Sequence, residues 1–503
     1  MTRRAELCFR FGRLSSCSPI LAPLRQRSEL EGARVVDGQQ TFIQQVRGDK
    51  SMTRKKITLV LALVMTLGAI LIFSRSPMFR ATDGIEVPLC PGCNVIMIMI
   101  DTLRADHLPC YGYERNTAPT ICGLAEEGFL FQNMYSNSPS TKTSVASLFT
   151  SMLPSQHKSI INEDVLSDEL TTMAEILSEN GYHTYAVNGN PVIKTKFNYD
   201  QGFSTWKDNL RRISIRDRNI LDPVDSYEQP FFLYLHYMDP HSPYTAPGSF
   251  SNFFNPGYDG IVTGAGARGT EKGYFENRPD ELEQLKAFYD NEIRFVDHRI
   301  AELFERLRET GLYEDSLIIL LSDHGEGFME HGLRFHSNGV YTELIDVPLI
   351  IRPPNQEKMV VETPVQTIDI LPTLLSMLGI DVDHRFAGRS IFSLIGSDET
   401  RPIVSEQRRL WAPSGRTPET AVMMGNYKLI KRLKSDTYLL FDMREDPLER
   451  ENLIDSAPNA AELIEKMESV IQANASMYDE VEVEKTTLDE KTTQQLKALG
   501  YIP

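Results

Sequence analysis

Asp101, Asp323 and His324 are the residues whose types and positions could hold a metal ion. Asp101 closes the apolar run Val95-Ile96-Met97-Ile98-Met99-Ile100, and Asp323-His324 closes Ser316-Leu317-Ile318-Ile319-Leu320-Leu321-Ser322, more than two hundred residues later. In an open α/β sheet, polar groups just past the carboxyl ends of neighbouring strands converge on one crevice, however long the chain between them. One carboxylate from each strand end plus an adjacent imidazole makes a mixed oxygen and nitrogen donor set. Such a set suits Zn²⁺ or Mn²⁺ better than the all-oxygen shell that Ca²⁺ prefers. Either aspartate alone would serve as a helix cap; the pair favours one divalent metal. Between them, Ser138-Pro139-Ser140-Thr141-Lys142-Thr143-Ser144-Val145 runs from a hydroxyl-dense turn into a helix pattern. Such clusters are commonly caps, but a helix N-terminus also presents unpaired N–H groups and a positive dipole end to an anion. A hydroxyl on a divalent ion there would lose its proton more easily.

The elements that must position these residues are legible as strand-like runs at 95–100, 184–188, 231–236, 316–321 and 347–351, alternating with amphipathic stretches. That alternation argues for an α/β fold with a doubly wound sheet covered by helices on both faces. Leu285, Tyr289, Ile293, Val296, Ile300, Leu303 and Leu307 step by four and three, marking a long helix with one apolar stripe that leads into the second acidic strand. Residues 245–280, rich in Gly, Pro, Asn and aromatics, read as a long loop over the sheet edge. From about 400 the texture changes: Ala421-Val422-Met423-Met424, Gly425-Asn426, Tyr427-Lys428-Leu429-Ile430 is a hairpin pattern, Tyr438-Leu439-Leu440-Phe441 adds a strand, and a helix is expected near 458–474.

The 503 residues can bury a large core, and a net charge of −17 argues against a nucleic-acid groove. Six cysteines in 503 residues are too few for a disulfide framework. Cys90-Pro91-Gly92-Cys93 reads as two thiols in a linker ahead of a local disulfide or half a zinc knuckle. Ile57 to Phe73 is seventeen residues without charge, preceded by Arg54-Lys55-Lys56. That length and basic flank predict a membrane anchor within 52–75 that places the body outside the cytoplasm, or a secreted protein if the segment is cleaved. Residues 1–51, Arg-rich and without periodicity ahead of Met52, read as a mis-called or disordered extension, and 76–93 as a linker.

Several ordered blocks resemble the sulfatase family of the alkaline phosphatase superfamily. They are Asn94 through His107 with Cys110-Tyr111-Gly112-Tyr113, Ser147-Leu148-Phe149-Thr150 with Pro154-Ser155-Gln156-His157, Asp239-Pro240-His241-Ser242-Pro243-Tyr244, Ser322 to Gly327, Val347 to Ile351, Asn426 to Ile430 and Leu499-Gly500-Tyr501-Ile502. The resemblance covers roughly 93–503. It implies a three-layer αβα alkaline-phosphatase-like catalytic domain at 94–400 and a small C-terminal antiparallel β subdomain plus helix at 401–503. The departures are specific. Where formylglycine sulfatases carry a Cys or Ser that opens a C/S-x-P-S-R pentad, nine residues before the helix threonine, this chain has Thr141. Its β-carbon bears a methyl group, so no formylglycine is expected. Asp101-Thr102 and Asp323-His324 stand where calcium sulfatases carry Asp-Asp and Asp-Asn, a pattern similar to membrane-anchored phosphoethanolamine and phosphoglycerol transferases.

The resemblance therefore implies a metal-dependent hydrolase of sulfate or phosphate esters with Thr141 as nucleophile and Asp101, Asp323, His324 and Thr141 around the metal. Its substrate would be a sulfated or phosphorylated small molecule, glycan or lipid. Lys142 would steady the ester's oxygens, and His241 and His336 would contact substrate or protonate the leaving group. A membrane-anchored transferase and an inactive binding relative are the alternatives. Arg104 and Asp106 read as a loop-ordering pair, and Glu330-His331-Gly332 as a structural loop rather than ligands for a second metal.

Overall fold

The long apolar runs are the central strands of one sheet in the computed structural model, which describes residues 86–208, 213, 230–265, 274–397, 401–408, 417–476 and 481–502. The strands are β1 (Asn94–Ile100), β2 (Phe129–Phe131), β3 (His183–Asn188), β4 (Thr205–Lys207), β5 (Phe231–Tyr237), β6 (Ser316–Ser322), β7 (Leu349–Arg352) and β8 (Met359–Val361). Their spatial order is β8-β2-β7-β6-β1-β5-β3-β4. The expected parallel pattern holds from β6 through β1 to β4, whereas β7 runs antiparallel to both β6 and β2. Sequence could not reveal that reversal: a strand buried on both faces is a continuous apolar run whichever way it points. The three-residue strands β2, β4 and β8, at or next to the sheet's edges, are too short to show a period.

Strand alternation sorts β1 between two layers, with Val95, Met97 and Met99 in one core and Ile96, Ile98 and Ile100 in the other. The first core is covered by α2 (Thr141–Thr150), α3 (Met173–Glu179) and α5 (Ile370–Leu378), the second by α1 (Pro119–Ala125) and α4 (Pro279–Glu309). All seven stripe residues of α4 are buried. Burying each such side chain stabilises by about 1.5–3 kcal/mol, so the stripe rather than helix propensity fixes where α4 lies.

The change of texture near 400 is a separate antiparallel sheet of β9 (Ile403–Gln407), β10 (Glu419–Met424), β11 (Tyr427–Arg432) and β12 (Thr437–Asp442), in sequence order. The β10–β11 turn needs Gly425 for its left-handed φ of +59°. Met467 and Ile471 of α6 (Ala460–Ser476) pack on Val422, Leu429 and Leu440 of this sheet. The chain then returns to the large sheet's side. Val165 N donates to Glu484 O and Thr486 N to Glu163 O, both at 2.9 Å. Lys196 pairs with Asp489 at 2.8 Å, just ahead of α7 (Glu490–Ala498).

Residues 86–93, read as linker, are fastened to the body: Cys90 N donates to Met377 O at 2.8 Å, and Val87, Cys90 and Cys93 pack on the first core. Cys90 and Cys93 are free thiols. A disulfide joins Cys110 to Cys122 instead, a pairing their wide spacing did not signal. The expected anchor at 57–73 lies outside the described residues. Among the described residues, no helix is long and apolar enough to cross a membrane.

His157, at the end of the short helix Pro154–His157, ties that helix to α2. Its Nδ1 accepts from Ser159 N at 3.1 Å, so its Nε2–H donates to Ser147 Oγ at 3.1 Å. Full burial pulls its pKa down to about 3. Below the unfolded value of about 6.5 the unfolded chain binds a proton that the native state refuses, so stability falls as pH drops through that window, by at most about 1.4 kcal/mol per pH unit. Urea unfolding across this range should show a shallower acid loss for His157→Gln than for the wild type, on a lower stability at pH 7; parallel curves would refute the assignment.

Candidate active site

β1, β5 and β6 end flush, because Ile100 is in register with Tyr237 on one side and Ser322 on the other. The residues just past those ends meet. Ligand atoms of Asp101, Asp323 and His324 lie within 4.8 Å of one another, and all three residues are fully buried. Asp101 Oδ1 and Asp323 Oδ2 are buried without a hydrogen-bond partner. Burial first, then the charge of Asp323, pushes the Asp101 carboxyl well above the usual carboxylate range. Buried like charges with orphaned oxygens call for a cation. His324 fits that demand: its Nδ1–H donates to Gly325 O at 2.9 Å, which leaves the Nε2 lone pair on the side of Thr141 and Asp323.

The backbone is held hard around this cluster. Asp323 Oδ1 accepts from Thr102 N at 3.1 Å and His324 N at 2.9 Å, and its carbonyl accepts from Ser136 and Ser144 hydroxyls at 2.5 and 2.7 Å. Thr102, a β-branched residue, is left-handed at φ +59°. A conformation of that kind costs about 1–3 kcal/mol and persists only when surroundings over-determine it. Here Asp323 takes its N–H, and Tyr289 donates to its carbonyl at 2.7 Å. Gly325 is required for a different reason: a Cβ there would sit 2.1 Å from Glu343 O.

Thr141 is the first residue of α2, buried, with Oγ1 3.1 Å from His324 Nε2 and 3.2 Å from the Tyr501 hydroxyl. His241 and His336 come to the same place. His336 stacks near His324 with ring centroids 4.5 Å apart and near His241 at 4.9 Å. Each commits its Nδ1, His241 to Ser242 O at 2.6 Å and His336 to Glu326 Oε1 at 3.0 Å. Lys142 Nζ lies 3.8 Å from the Phe197 ring centroid and 3.4 Å from Asn162 O. Arg104 binds Asp106 through two nitrogens at 2.8 and 2.6 Å and reaches Glu330 at 2.7 Å, ordering its loop.

Four residues complete the site that sequence reasoning did not single out for it: Asn190, His236, Glu326 and Tyr501. Asp101 Oδ2 accepts from Asn190 Nδ2 at 2.5 Å and faces His236 Nε2 at 3.2 Å, while Tyr234 contacts His236 Nδ1 at 2.8 Å. Burial lowers the His236 pKa to about 4, so it stays neutral and the Tyr234 hydroxyl donates to it. Asn190 lies two residues past the end of β3, where the strand-end rule could have found it, whereas His236 is the penultimate residue within β5. A second cluster of possible ligands, His331, Glu343 and Glu449, is already satisfied. His331 bonds Glu343 at 2.8 Å and the Glu449 carbonyl at 3.1 Å, and Lys428 pairs with Glu449 at 2.6 Å. It is a structural junction.

The sulfatase family profile matches residues 93–380, more than half of the chain. The chain belongs to the sulfatase family. The profile of the N-sulphoglucosamine sulphohydrolase C-terminal region matches residues 329–476. Among relatives, the uncharacterized sulfatase YidJ of Escherichia coli K12 is 26% identical over 424 residues, covering 72% of this chain and 83% of the relative. Choline-sulfatase of Rhizobium meliloti is 23% identical, covering 72% and 82%. Among solved structures, one determined in complex with D-glucosamine-2-N,6-O-disulfate superposes with a TM-score of 0.65 at 18% identity, covering 78% of this chain and all of that one. A phosphonate monoester hydrolase from Silicibacter pomeroyi gives 0.64 at 20% identity, covering 78% and 99%. The αβα body with its small antiparallel sheet is thus the sulfatase, alkaline-phosphatase-like fold, and by family the protein is a sulfuric ester hydrolase.

Partners that orient a metal ligand typically contribute about 10–100-fold to metal affinity. Chelator competition with Zn²⁺ should show losses of that order for Asn190→Ala and His236→Ala, and a larger one for His324→Ala. Gly325→Ala should lose metal as well, although it removes no donor atom; full affinity in that variant would show that the loop tolerates the added methyl.

Proposed function

We propose that this sulfatase-family enzyme cleaves its ester through Thr141, at sulfur or an isosteric phosphorus centre, with one divalent ion held by Asp101, Asp323 and His324. The observation that carries the reading is the placement of Thr141 Oγ1 at a helix N-terminus, 3.1 Å from His324 Nε2, which itself lies 3.5 Å from the orphaned Asp323 Oδ2. Zn²⁺ or Mn²⁺ suits this donor set better than Ca²⁺. When bound, such an ion supplies Lewis-acid chemistry, lowering the pKa of the threonine hydroxyl and offsetting charge on the ester oxygens.

The chain's own residues account for the rest. Thr141 Oγ forms a bond to sulfur or phosphorus as the bond to the leaving oxygen breaks, and the departing oxygen takes a proton from an imidazole. With Nδ1–H of His241 and His336 committed to Ser242 O and Glu326, Nε2 is the atom through which either ring would pass it. In the second step the imidazole takes a proton from water, whose oxygen bonds to the sulfur or phosphorus, while Thr141 Oγ departs and takes back from solvent the proton it released to solvent before attack. The α2 amides face the ester's equatorial oxygens in this reading, with Lys142 the second residue of that helix. An acceptor alcohol in place of water would make the same chemistry a group transfer. Ile57 to Phe73 would anchor the enzyme outside the cytoplasm, acting on a sulfated or phosphorylated small molecule, glycan or lipid.

The test compares wild type, Thr141→Ala and Thr141→Ser on an aryl sulfate, a phosphate monoester and a phosphodiester, with and without an added alcohol. Thr141→Ala should lose turnover by about a thousand-fold or more while its thermal midpoint holds, the scale seen when a nucleophile is removed. Acid quench of wild type should trap the ester on the peptide carrying Thr141. Turnover that survives Thr141→Ala removes the nucleophile, and inertness of the folded, metal-loaded wild type on all three ester classes would favour a binding relative. Product partition toward the alcohol would mark a transferase.

A further inference from the structure

The hydrogen-bond partners around Thr141 bring a phenol to its oxygen. The Asn190 amide is oriented by Val192 N, which donates to its Oδ1 at 2.9 Å. Both Nδ2 hydrogens are then given away, one to Asp101 Oδ2 at 2.5 Å and the other to the Tyr501 oxygen at 2.9 Å. The Tyr501 oxygen accepts from Asn190 and lies 3.2 Å from Thr141 Oγ1, within reach for its phenolic hydrogen to be donated there. On the other side Thr141 Oγ1 lies 3.1 Å from His324 Nε2, the nitrogen proposed to hold the ion, so a hydrogen-bond donor to an anionic Oγ1 comes from the Tyr501 side.

This phenol is delivered by a segment from the far end of the numbering. α7 closes in a Schellman motif: Tyr501 N donates to Leu496 O at 2.8 Å and Gly500 N to Lys497 O at 3.1 Å, with Gly500 left-handed at φ +77°. The motif turns Tyr501 back toward the large sheet. Its carbonyl accepts from Asn162 Nδ2 at 3.1 Å, and its ring stacks on His241 with centroids 5.3 Å apart at 24°. The residue is buried, and it touches the reacting oxygen, the residue that orients a metal ligand and a candidate proton carrier at once.

We infer that Tyr501 is a catalytic residue whose phenolic hydrogen stabilises negative charge on Thr141 Oγ1. The inference rests on Thr141 being the nucleophile and deepens that reading. The hydrogen bond strengthens whenever that oxygen is anionic, which is before attack and again when it is expelled by water. No bond to Tyr501 forms or breaks, and its proton stays on the phenol. A donor to an attacking oxygen moderates its nucleophilicity, whereas a donor to a departing oxygen helps it leave. The larger benefit therefore falls on the second step, hydrolysis of the threonine ester.

Tyr501→Phe keeps the ring, its burial and its stack on His241, and removes only the hydroxyl. Expected is a fall in kcat of about 10- to 1000-fold, the range for losing one oxyanion donor. KM should not rise, and a larger fraction of enzyme should be trapped as the Thr141 ester after acid quench. A structural role would not raise that fraction. Wild-type kcat in the phenylalanine variant overturns the inference, as does a slowed variant in which the trapped fraction is unchanged or lower. Replacing Tyr501 by a fluorinated tyrosine keeps shape and hydroxyl while making the phenol more acidic; ester hydrolysis should respond to that acidity, and indifference to it overturns the inference too. If Thr141→Ala keeps turnover, the nucleophile reading falls and this one with it. If Thr141→Ala is inactive and Tyr501→Phe is unimpaired, only the role of Tyr501 falls.

Discussion

The confrontation of two fully buried carboxylates, Asp101 and Asp323, at the ends of adjacent parallel strands is the constraint around which the rest of this structure is arranged. Left to themselves they repel, and burial raises the energy of each charge further. The fold nonetheless forces them together, because β1 and β6 are locked side by side by apolar packing on both faces of the sheet. Any slip of one strand by a residue would carry its aspartate away from the crevice and turn Val95, Met97 and Met99 toward the wrong layer. The core that keeps the sheet together thus also keeps ligand atoms of the two carboxylates within 4.8 Å of each other.

Around that pair the polar groups are oriented in successive shells, each fixing the next. Ser136 and Ser144 hold the carbonyl of Asp323, and Thr102 accepts backbone strain so that its N–H can reach the same residue's carboxylate. Tyr234 fixes the ring of His236, and Val192 fixes the amide of Asn190, and both of these face Asp101 Oδ2. Left-handed Phe335 and Ser337 flank His336 in the same way that left-handed Thr102 follows Asp101. Strained positions gathered at one crevice are what a pre-organised site costs in backbone energy.

How much of this could be read from the chain depends on the range of the signal. Asp101 and Asp323-His324 were legible because each terminates an unbroken apolar run, and strand ends of one sheet face one crevice. The long helix was legible because its stripe repeats over several turns. His236 was hidden for the opposite reason: it sits inside Phe231 to Tyr237, where an imidazole among aromatics passes for core. Tyr501 was visible only as part of a family-like block, since a tyrosine after an amphipathic helix has many uses and its contacts lie 311 and 360 residues away. The reversed direction of β7 left no trace in composition, and the Cys110–Cys122 pairing depended on how two short helices pack. Lys142 is a case where sequence adjacency to Thr141 gives no account of the contact that its long stem makes with the Phe197 ring.

The strap that carries Tyr501 also sets an order of events during biosynthesis. A ribosome that has released the chain through β8 has made Asp101, Thr141, Asp323 and His324, every donor proposed to hold the ion, and still has not made the phenol that touches the threonine oxygen from 360 positions downstream. The nascent chain can therefore form its large sheet and gather the proposed ligands while the Thr141 hydroxyl lacks its last neighbour. In such a chain, loading with metal and becoming fully competent are separate moments of maturation.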